Sequence, residues 1–167
     1  FLLSEDLLGS GDYGDVYFDR ASGNNLEWQG SEARTWCQNF YSSNFSAGEQ
    51  SAVLGTTKSD EEFISSTGKF VFFVSEDILN GDKVFFLSAE EAEKSEYGFT
   101  NDAARVANYG TRGGEWWHRS RLYSSAPPCA GVIDYYGAVI YGDMGHDYAA
   151  RPAFNLDLNS VLFTSAA

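Results

Sequence analysis

The chain has 167 residues, of which 43% are hydrophobic and 16% aromatic; this is enough for one domain with a core and excludes a disordered chain. The net charge of −13, with only 11 Lys and Arg, argues against nucleic-acid binding and by itself indicates solubility. No apolar run approaches the ~20 residues of a transmembrane helix, so we expect no membrane insertion by this domain. We expect one domain over residues 1–167. Because it begins with Phe1 instead of Met, we also expect it to be part of a longer chain.

Two helices are predicted in the first third of the chain. The first covers residues 31–41 with Ser31 as its N-cap, and apolar side chains recur there at helical spacing: Ala33, Trp36, Cys37, Phe40 and Tyr41. The second lies within residues 46–54, where Ser46 and Glu49 have the spacing of a capping box. The position of Cys37 on the apolar side of the first helix predicts a buried thiol.

Strands and shorter helices are predicted in the middle of the chain. Apolar, aromatic runs bounded by Gly or Asp indicate strands over residues 15–18, 69–76 and 82–88. Ser88 and Glu91 have the spacing of another capping box, which predicts a helix over residues 89–96. Residues 102–108 predict one or two further helical turns.

Four candidate strands follow, separated by Gly or Gly-Asp punctuation. They are "EWWHRS" (115–120), "AGVIDYYG" (130–137), "AVIYG" (138–142) and "RPAFNLDL" (151–158). Helices in the first half and strands in the second half predict an α+β fold, with two to four short helices and a mostly antiparallel sheet.

The residue types change near Trp116. All 12 Glu lie at or before Glu115, the last Lys is Lys94, and no Gln follows Trp116. Between His118 and Ala150 there are five Tyr, four Gly, three Ser, three Asp and two His. This is the composition of an antibody-like binding surface, because Tyr supplies rigid contact area and Ser, Gly and Asp supply adaptable polar contacts. A Gly- and Tyr-rich β meander that only packs explains the composition equally well.

Catalytic and metal-binding interpretations of this region are weak. Ser124, His146 and Asp147 are the residue types of a hydrolase triad, but no nucleophile elbow surrounds Ser124. His118 and His146 with Asp143 or Asp147 match no zinc spacing, and "GDMGHD" (142–147) lacks the ligand alternation of a calcium loop. We therefore expect no enzyme and no cofactor or metal.

The tryptophan and arginine residues beside the predicted strands indicate structural roles. Trp116 and Trp117 would form a sugar-stacking platform if exposed, but strand alternation places one ring on each face and favours core positions. Arg119 and Arg151 lie beside apolar strands, where an arginine is tolerated only when paired. We expect framework ion pairs or hydrogen bonds for both.

Four motifs in order carry a resemblance to a known family. They are "GSEARTWCQNFYSSNFSAGEQSAVL" (30–54), "DKVFFLSAEEAEK" (82–94), "WWHRS" (116–120) and "RPAFNLDL" (151–158). Together they resemble a bacterial domain family of unknown function with WW-x-R-S and terminal RPA motifs. The resemblance spans about residues 28–163. It implies a C-type-lectin-like fold of the formylglycine-generating-enzyme-like branch.

Some members of that family are variable proteins of diversity-generating retroelements, in which adenine-directed substitutions rewrite codons near the 3′ end of the gene. Substitution at the first two positions of AAY codons reaches Tyr, Ser, Asp, His, Gly and other residues, but not Lys, Glu, Gln, Met or Trp. Every residue between His118 and Ala150 except Met144 belongs to the reachable set. The resemblance therefore implies a hypervariable segment at 118–150, in which His118 replaces the family's usual apolar residue.

The resemblance implies a fixed scaffold that presents a diversified binding surface without catalysis. The expected ligand is a variable macromolecule, either a protein or a surface glycan, and the expected location is extracellular, on a bacterial cell surface or a phage particle. The expected ligand-binding residues are His118, Arg121, Tyr123, Ser124, Ser125, Ile133, Asp134, Tyr135, Tyr136, Ile140, Tyr141, Asp143, His146, Asp147 and Tyr148.

Other functions of the implied fold have less support. The enzyme branch uses a closely placed cysteine pair, whereas residues 116–167 contain only Cys129. The "EPN", "QPD" and "WND" motifs of calcium-dependent lectins do not occur. The alternative that stays open is a non-diversified structural or adhesive module of a bacterial surface or phage particle.

Overall fold

The computed structural model describes residues 1–8, 16–20, 27–59, 63–65, 68, 70–73, 78–122 and 129–159. The helices are α1 (Glu32–Asn44), α2 (Ala47–Ala52) and α3 (Ala89–Ala92), and 3₁₀ turns cover Trp28–Gly30, Ser95–Tyr97 and Asp102–Arg105. The strands are β1 (Leu2–Leu3), β2 (Val16–Tyr17), β3 (Val53–Leu54), β4 (Thr56–Lys58), β5 (Phe63–Ile64), β6 (Val71–Phe73), β7 (Leu79–Asp82), β8 (Ala107–Tyr109), β9 (Arg112–Gly114), β10 (Trp116–Leu122), β11 (Cys129–Ile133), β12 (Val139–Asp143), β13 (Asp147–Tyr148) and β14 (Ala153–Leu156).

The strands form one five-stranded sheet and several small ones. The large sheet has the order β12-β11-β10-β6-β5, and a three-stranded sheet has the order β1-β14-β3. The remaining pairs are β13-β2, β4-β7 and β8-β9. All of these strand pairs are antiparallel. The prediction of an α+β protein with few short helices and a mostly antiparallel sheet is therefore confirmed.

The predicted helix starts are confirmed because they depend on contacts within one turn. The side chain of Ser31 accepts from the Arg34 N–H at the start of α1. Capping boxes start both α2, between Ser46 and Glu49, and α3, between Ser88 and Glu91. Each capping side chain stabilises a helix end by roughly 1 kcal/mol.

Two predicted elements differ from the structure: the strand over 82–88 was wrong, and the helix over 89–96 was predicted too long. The strand predicted over 82–88 is absent after Asp82, where the chain makes one isolated bridge, Phe85 to Ala153. The apolar residues from Val84 to Leu87 are all buried, so the run fills the core without the in-and-out alternation of a half-exposed strand. The helix predicted over 89–96 ends at Ala92 and gives way to a 3₁₀ turn.

The core is built around buried aromatic side chains. Trp116 and Trp117 are both fully buried, which confirms their predicted structural role and excludes a stacking platform. The indole N–H of Trp117 donates to the Val16 carbonyl at 2.6 Å, and that of Trp116 donates to the Arg105 carbonyl at 3.2 Å. Because both faces of β10 are covered at these positions, alternation places both rings in apolar surroundings.

The two framework arginines are buried and paired, as predicted. Arg119 donates to a Glu91 carboxylate oxygen at 2.5 Å and to the Phe86 carbonyl at 2.8 Å. Arg151 donates to the Ser4 carbonyl at 3.0 Å, and its guanidinium lies 4.9 Å from the centre of a Trp116 ring. Burial lowers the pKa of Arg151 to about 10, so it stays charged at neutral pH.

Three further properties bear on the sequence predictions. Cys37 and Cys129 are both buried and neither forms a disulfide among the described residues, which confirms the prediction of a buried thiol for Cys37. In the part of the chain that the structure describes, no helix has the length and apolar character needed to cross a membrane. The described residues also contain no group of three His, Cys, Asp or Glu that is suited to a metal ion.

Candidate ligand-binding site

A cleft of about 450 Å³ lies between the β8–β9 hairpin and the C-terminal part of the chain. One side consists of the hairpin from Tyr109 to Gly114 together with Glu115. The other side consists of Tyr135 and residues 147–149. Ligand sites typically have about this size and combine aromatic walls with a few polar groups.

The β8–β9 hairpin, which forms one side of the cleft, is rich in glycine. Tyr109 pairs with Arg112 across a two-residue turn, in which Gly110 has a φ of +62° that glycine adopts without strain. A Cβ atom on Gly114 would lie 2.5 Å from the Cδ1 atom of Leu7. Glycine at position 114 therefore allows the hairpin to pack closely on Leu7.

A tight turn after β11 presents the two most accessible tyrosines among the described residues. The Asp134 carboxylate accepts the backbone N–H groups of Tyr136 at 2.9 Å and Ala138 at 2.8 Å. Gly137 has a φ of +83°, and a Cβ there would lie 1.8 Å from the Asp102 carbonyl oxygen. Tyr135 is 47% exposed and Tyr136 is 81% exposed. The backbone of the turn is thus fixed by residues other than the tyrosines that it displays.

The opposite wall is fixed by backbone pairing to the start of β10. The Ala149 N–H donates to the Glu115 carbonyl at 3.0 Å, and the Trp117 N–H donates to the Ala149 carbonyl at 3.1 Å. The Tyr148 ring packs edge-on against Trp117 at 4.6 Å between ring centres. It also covers Gly142, where a Cβ would lie only 2.6 Å from the ring. Tyr148 is therefore half in the core and half in the cleft.

Two carboxylates and one guanidinium line the cleft, those of Glu115, Asp147 and Arg112. Burial and the nearby Asp134 carboxylate raise the pKa of Glu115, whereas a hydrogen bond with the Tyr135 side chain opposes this increase. Burial also raises the pKa of Tyr148, and the Glu115 and Asp143 carboxylates contribute. Glu115 therefore carries its charge at a cost in desolvation and repulsion.

The predicted ligand-binding residues divide into four groups, of which the fourth, His118 and Ile133, is buried. Those that line the cleft are Tyr135, Asp147 and Tyr148. Those at other exposed or half-buried positions are Arg121, Asp134, Tyr136, Ile140, Tyr141, Asp143 and His146. Those that lie outside the described residues are Tyr123, Ser124 and Ser125.

Two of the predicted contacts were wrong. His118 and Ile133 are fully buried, because β10 and β11 are central strands that are covered on both faces. The His118 ring packs edge-on against Phe72 at 5.0 Å, and neither ring nitrogen has a hydrogen-bond partner among the described residues. Burial and the adjacent Arg119 lower the pKa of His118 to about 3, so the imidazole is neutral at physiological pH.

The hairpin side of the cleft was not predicted from the sequence. Tyr109, Arg112 and Glu115 all precede the segment 118–150 in which a binding surface was expected. The signal was present in "YGTRGGE" (109–115), because a Gly-Thr pair between two polar or aromatic residues is typical of a short hairpin. A helix was predicted over residues 102–108, whereas Asp102–Arg105 form a 3₁₀ turn and Ala107–Tyr109 form the first strand of the hairpin.

Comparison with known proteins gives a family and no function. No curated protein matches the chain, and no solved structure matches it. A family described as "Domain of unknown function (DUF6273)" matches residues 1–158, which is nearly the whole chain and includes every residue of the cleft. The chain therefore belongs to the DUF6273 family.

Proposed function

We propose that this chain is a non-catalytic ligand-binding domain with a C-type-lectin-like fold, and a variable protein of a diversity-generating retroelement. One observation carries the proposal. The cleft joins a fixed side, made by the β8–β9 hairpin and Glu115, to Tyr135, Asp147 and Tyr148 of the tyrosine-rich segment. Its ligand is a macromolecule, either a protein or a surface glycan, that is met on a bacterial cell surface or by a phage particle.

The separation of structural and displayed residues supports diversification. In the 134–137 turn, Asp134 and Gly137 determine the backbone, while Tyr135 and Tyr136 project from it. Replacement of an exposed tyrosine therefore changes the surface without altering the turn. Tyrosine also supplies large contact area at low cost in side-chain entropy, which suits a recognition surface.

The proposed fold rests on the resemblance of the four motifs and on how those motifs meet. Arg119 of "WWHRS" pairs with Glu91 of "DKVFFLSAEEAEK". Arg151 of "RPAFNLDL" lies over Trp116 of the same strand as Arg119. Motifs that contact one another in the core are expected to define one fold, whereas the exposed residues between them are free to differ.

The test is to sequence the DNA around the gene. We expect a near-copy of the codons for residues 116–154 beside a reverse-transcriptase gene, with differences only where the copy has adenine. The differences should include codons of exposed residues such as Tyr136 and His146 and spare those of buried Gly131 and Ile133, which serve as internal controls. The absence of a copy, or differences spread equally over buried and exposed codons, would refute diversification.

The second candidate is a non-diversified structural or adhesive module. Two contacts favour it, since Tyr141 packs against Phe70 at 5.2 Å and Tyr148 packs against Trp117 at 4.6 Å between ring centres. Tyrosines that support the core are expected to be constant. A gene without a template copy, and with the same residues at these positions across isolates, would favour this candidate.

A further inference from the structure

We propose that the cleft binds a cationic group, the ammonium or guanidinium of a Lys or Arg side chain on a partner protein, with Glu115 as its fixed anchor. This inference rests on the proposed function, because it names the ligand chemistry of the same site. It also assigns a binding role to a residue outside the tyrosine-rich segment.

The tyrosine side chains that line the cleft suit a cationic side chain. Three tyrosines, Tyr109, Tyr135 and Tyr148, line a space of about 450 Å³. Cations bind favourably over the faces of aromatic rings, and arginine in particular stacks on them. On the hairpin side of the cleft, the exposed Gly113 has no side chain and allows a ligand to approach the backbone closely.

The charges around the cleft favour the same ligand. Glu115 and Asp147 line it, and Asp134 is close enough to Glu115 to raise the pKa of that carboxyl group. Arg112 also lines the cleft, so its three charged lining residues leave a net charge of −1, to which the nearby Asp134 adds. A bound cation would offset the repulsion between the carboxylates, whereas an anion would increase it. The net charge of −13 would attract basic partners over a longer range.

Glu115 lies outside the expected variable segment, so its carboxylate would be the same in all variants. Its carbonyl accepts the Ala149 N–H at 3.0 Å, so its backbone is part of the pairing that holds the wall of the cleft. It precedes His118, the first residue of the expected variable segment. Different variants would then share a preference for a basic side chain and differ in the contacts that surround it.

The test is a pair of titrations of the ¹⁵N-labelled full chain, followed by ¹H–¹⁵N NMR. The probes are N-acetyl-arginine methylamide and its neutral isostere N-acetyl-citrulline methylamide. We expect the arginine probe to shift the amide signals of Gly113, Gly114 and Ala149, and the citrulline probe to bind roughly tenfold more weakly or less. Glu115→Gln should weaken the arginine probe by a similar factor. The matched control Glu96→Gln, an exposed residue outside the cleft lining, should change its affinity less than twofold.

Three outcomes would overturn the inference: equal binding of the two probes, unchanged arginine binding in Glu115→Gln, or stronger binding of neutral methyl glucoside at the same amides. The first comparison uses the unmodified protein, so it holds even if a variant folds poorly. None of these results depends on a template copy beside the gene. If a template copy is found but the cleft binds both probes equally, the proposed function stands and only the cationic ligand is rejected.

Discussion

The guanidinium Nη1 of Arg119 lies 2.5 Å from the Oε2 of Glu91, and both side chains are buried. Glu91 Oε2 also accepts the Ser88 N–H at 2.8 Å, and its other oxygen accepts from Lys58 Nζ at 2.6 Å. One carboxylate thus completes the capping box of α3 and ties this helix to strand β10. Arg119 and Glu91 belong to two of the four motifs that carry the family resemblance, so these motifs are coupled in the core.

Glu91→Gln is expected to destabilise the protein by about 3–5 kcal/mol, because it leaves the buried Arg119 charge without a counter-charge. The matched control is Glu90→Gln. Glu90 forms a partly exposed i,i+4 ion pair with Lys94, and loss of such a pair costs at most about 0.5 kcal/mol. Urea unfolding of both variants at pH 7 checks the difference.

The effect of Glu91→Gln should also depend on pH. Burial opposes ionisation of Glu91, but Arg119, Lys58 and the Ser88 N–H outweigh it and lower the pKa to about 2, below the ordinary 4.5. The stabilisation is therefore fully present above pH 4.5 and is lost as the pH falls towards 2. A difference in unfolding free energy that stayed constant from pH 7 to pH 2 would contradict this account.

His118→Phe is expected to remove part of the acid sensitivity of the fold. The pKa of His118 in the folded state, about 3, lies below its ordinary value of 6.5, so the unfolded chain binds more protons between these pH values. The stability should therefore be complete above pH 6.5 and decrease towards pH 3. In thermal unfolding, the melting temperature should fall less between pH 7 and pH 4.5 in the variant than in the wild type.

The control for this prediction is the other histidine. His146 is exposed, so His146→Asn should retain the acid-induced loss of the wild type. At pH 7 two effects on the stability of His118→Phe oppose each other: the variant removes buried ring nitrogens that have no partner among the described residues, but its larger ring must fit against Gly131. The prediction therefore concerns the difference between pH 7 and pH 4.5. Equal pH dependence of wild type and His118→Phe would show that His118 does not carry the effect.

Gly131→Ala is expected to destabilise the protein by about 1–3 kcal/mol or more, through overpacking. A Cβ at this position would lie 1.4 Å from the Cε1 atom of His118, so the ring would have to move within a packed core. The same substitution in a His118→Ala background should cost at least about 1 kcal/mol less, because the two residues occupy the same space. Additive effects in urea unfolding would contradict this packing relationship.

The double substitution Tyr135→Ala with Tyr141→Ala is expected to cost less than about 1 kcal/mol of unfolding free energy, because both residues are nearly half exposed and neither belongs to the hydrophobic core. Phe72→Ala is the comparison, since Phe72 is fully buried and its truncation should cost about 3–5 kcal/mol. Thermal and urea unfolding measure both. A cost for the double variant close to that of Phe72→Ala would mean that these tyrosines are structural, as in the non-diversified module.

Local features were predictable from the sequence. Ser31, the Ser46–Glu49 pair and the Ser88–Glu91 pair all start helices as expected, because their hydrogen bonds close within four residues. The structural role of Trp116 and Trp117 was also predictable, since a large ring on either face of a central strand meets the core.

Burial of particular residues was harder to predict. His118 and Ile133 lie in a segment whose composition suits a surface, yet they are fully buried because both faces of the sheet are covered at β10 and β11. Composition describes a segment as a whole, whereas burial depends on which strands become neighbours. The apolar run from Val84 to Leu87 shows the same limit, because a continuous apolar pattern does not distinguish a strand from irregular buried chain.

The helix starts, the α+β class and the aromatic and arginine framework can be derived from the residues alone, because they follow from short-range hydrogen bonds and from the cost of exposing apolar groups or burying unpaired polar ones. The cleft, in contrast, depends on tertiary contacts. It exists because the Ala149 backbone pairs with Glu115 and thereby brings Tyr148 opposite the β8–β9 hairpin. That pairing joins residues far apart in the chain, and its register depends on the packing of the whole sheet.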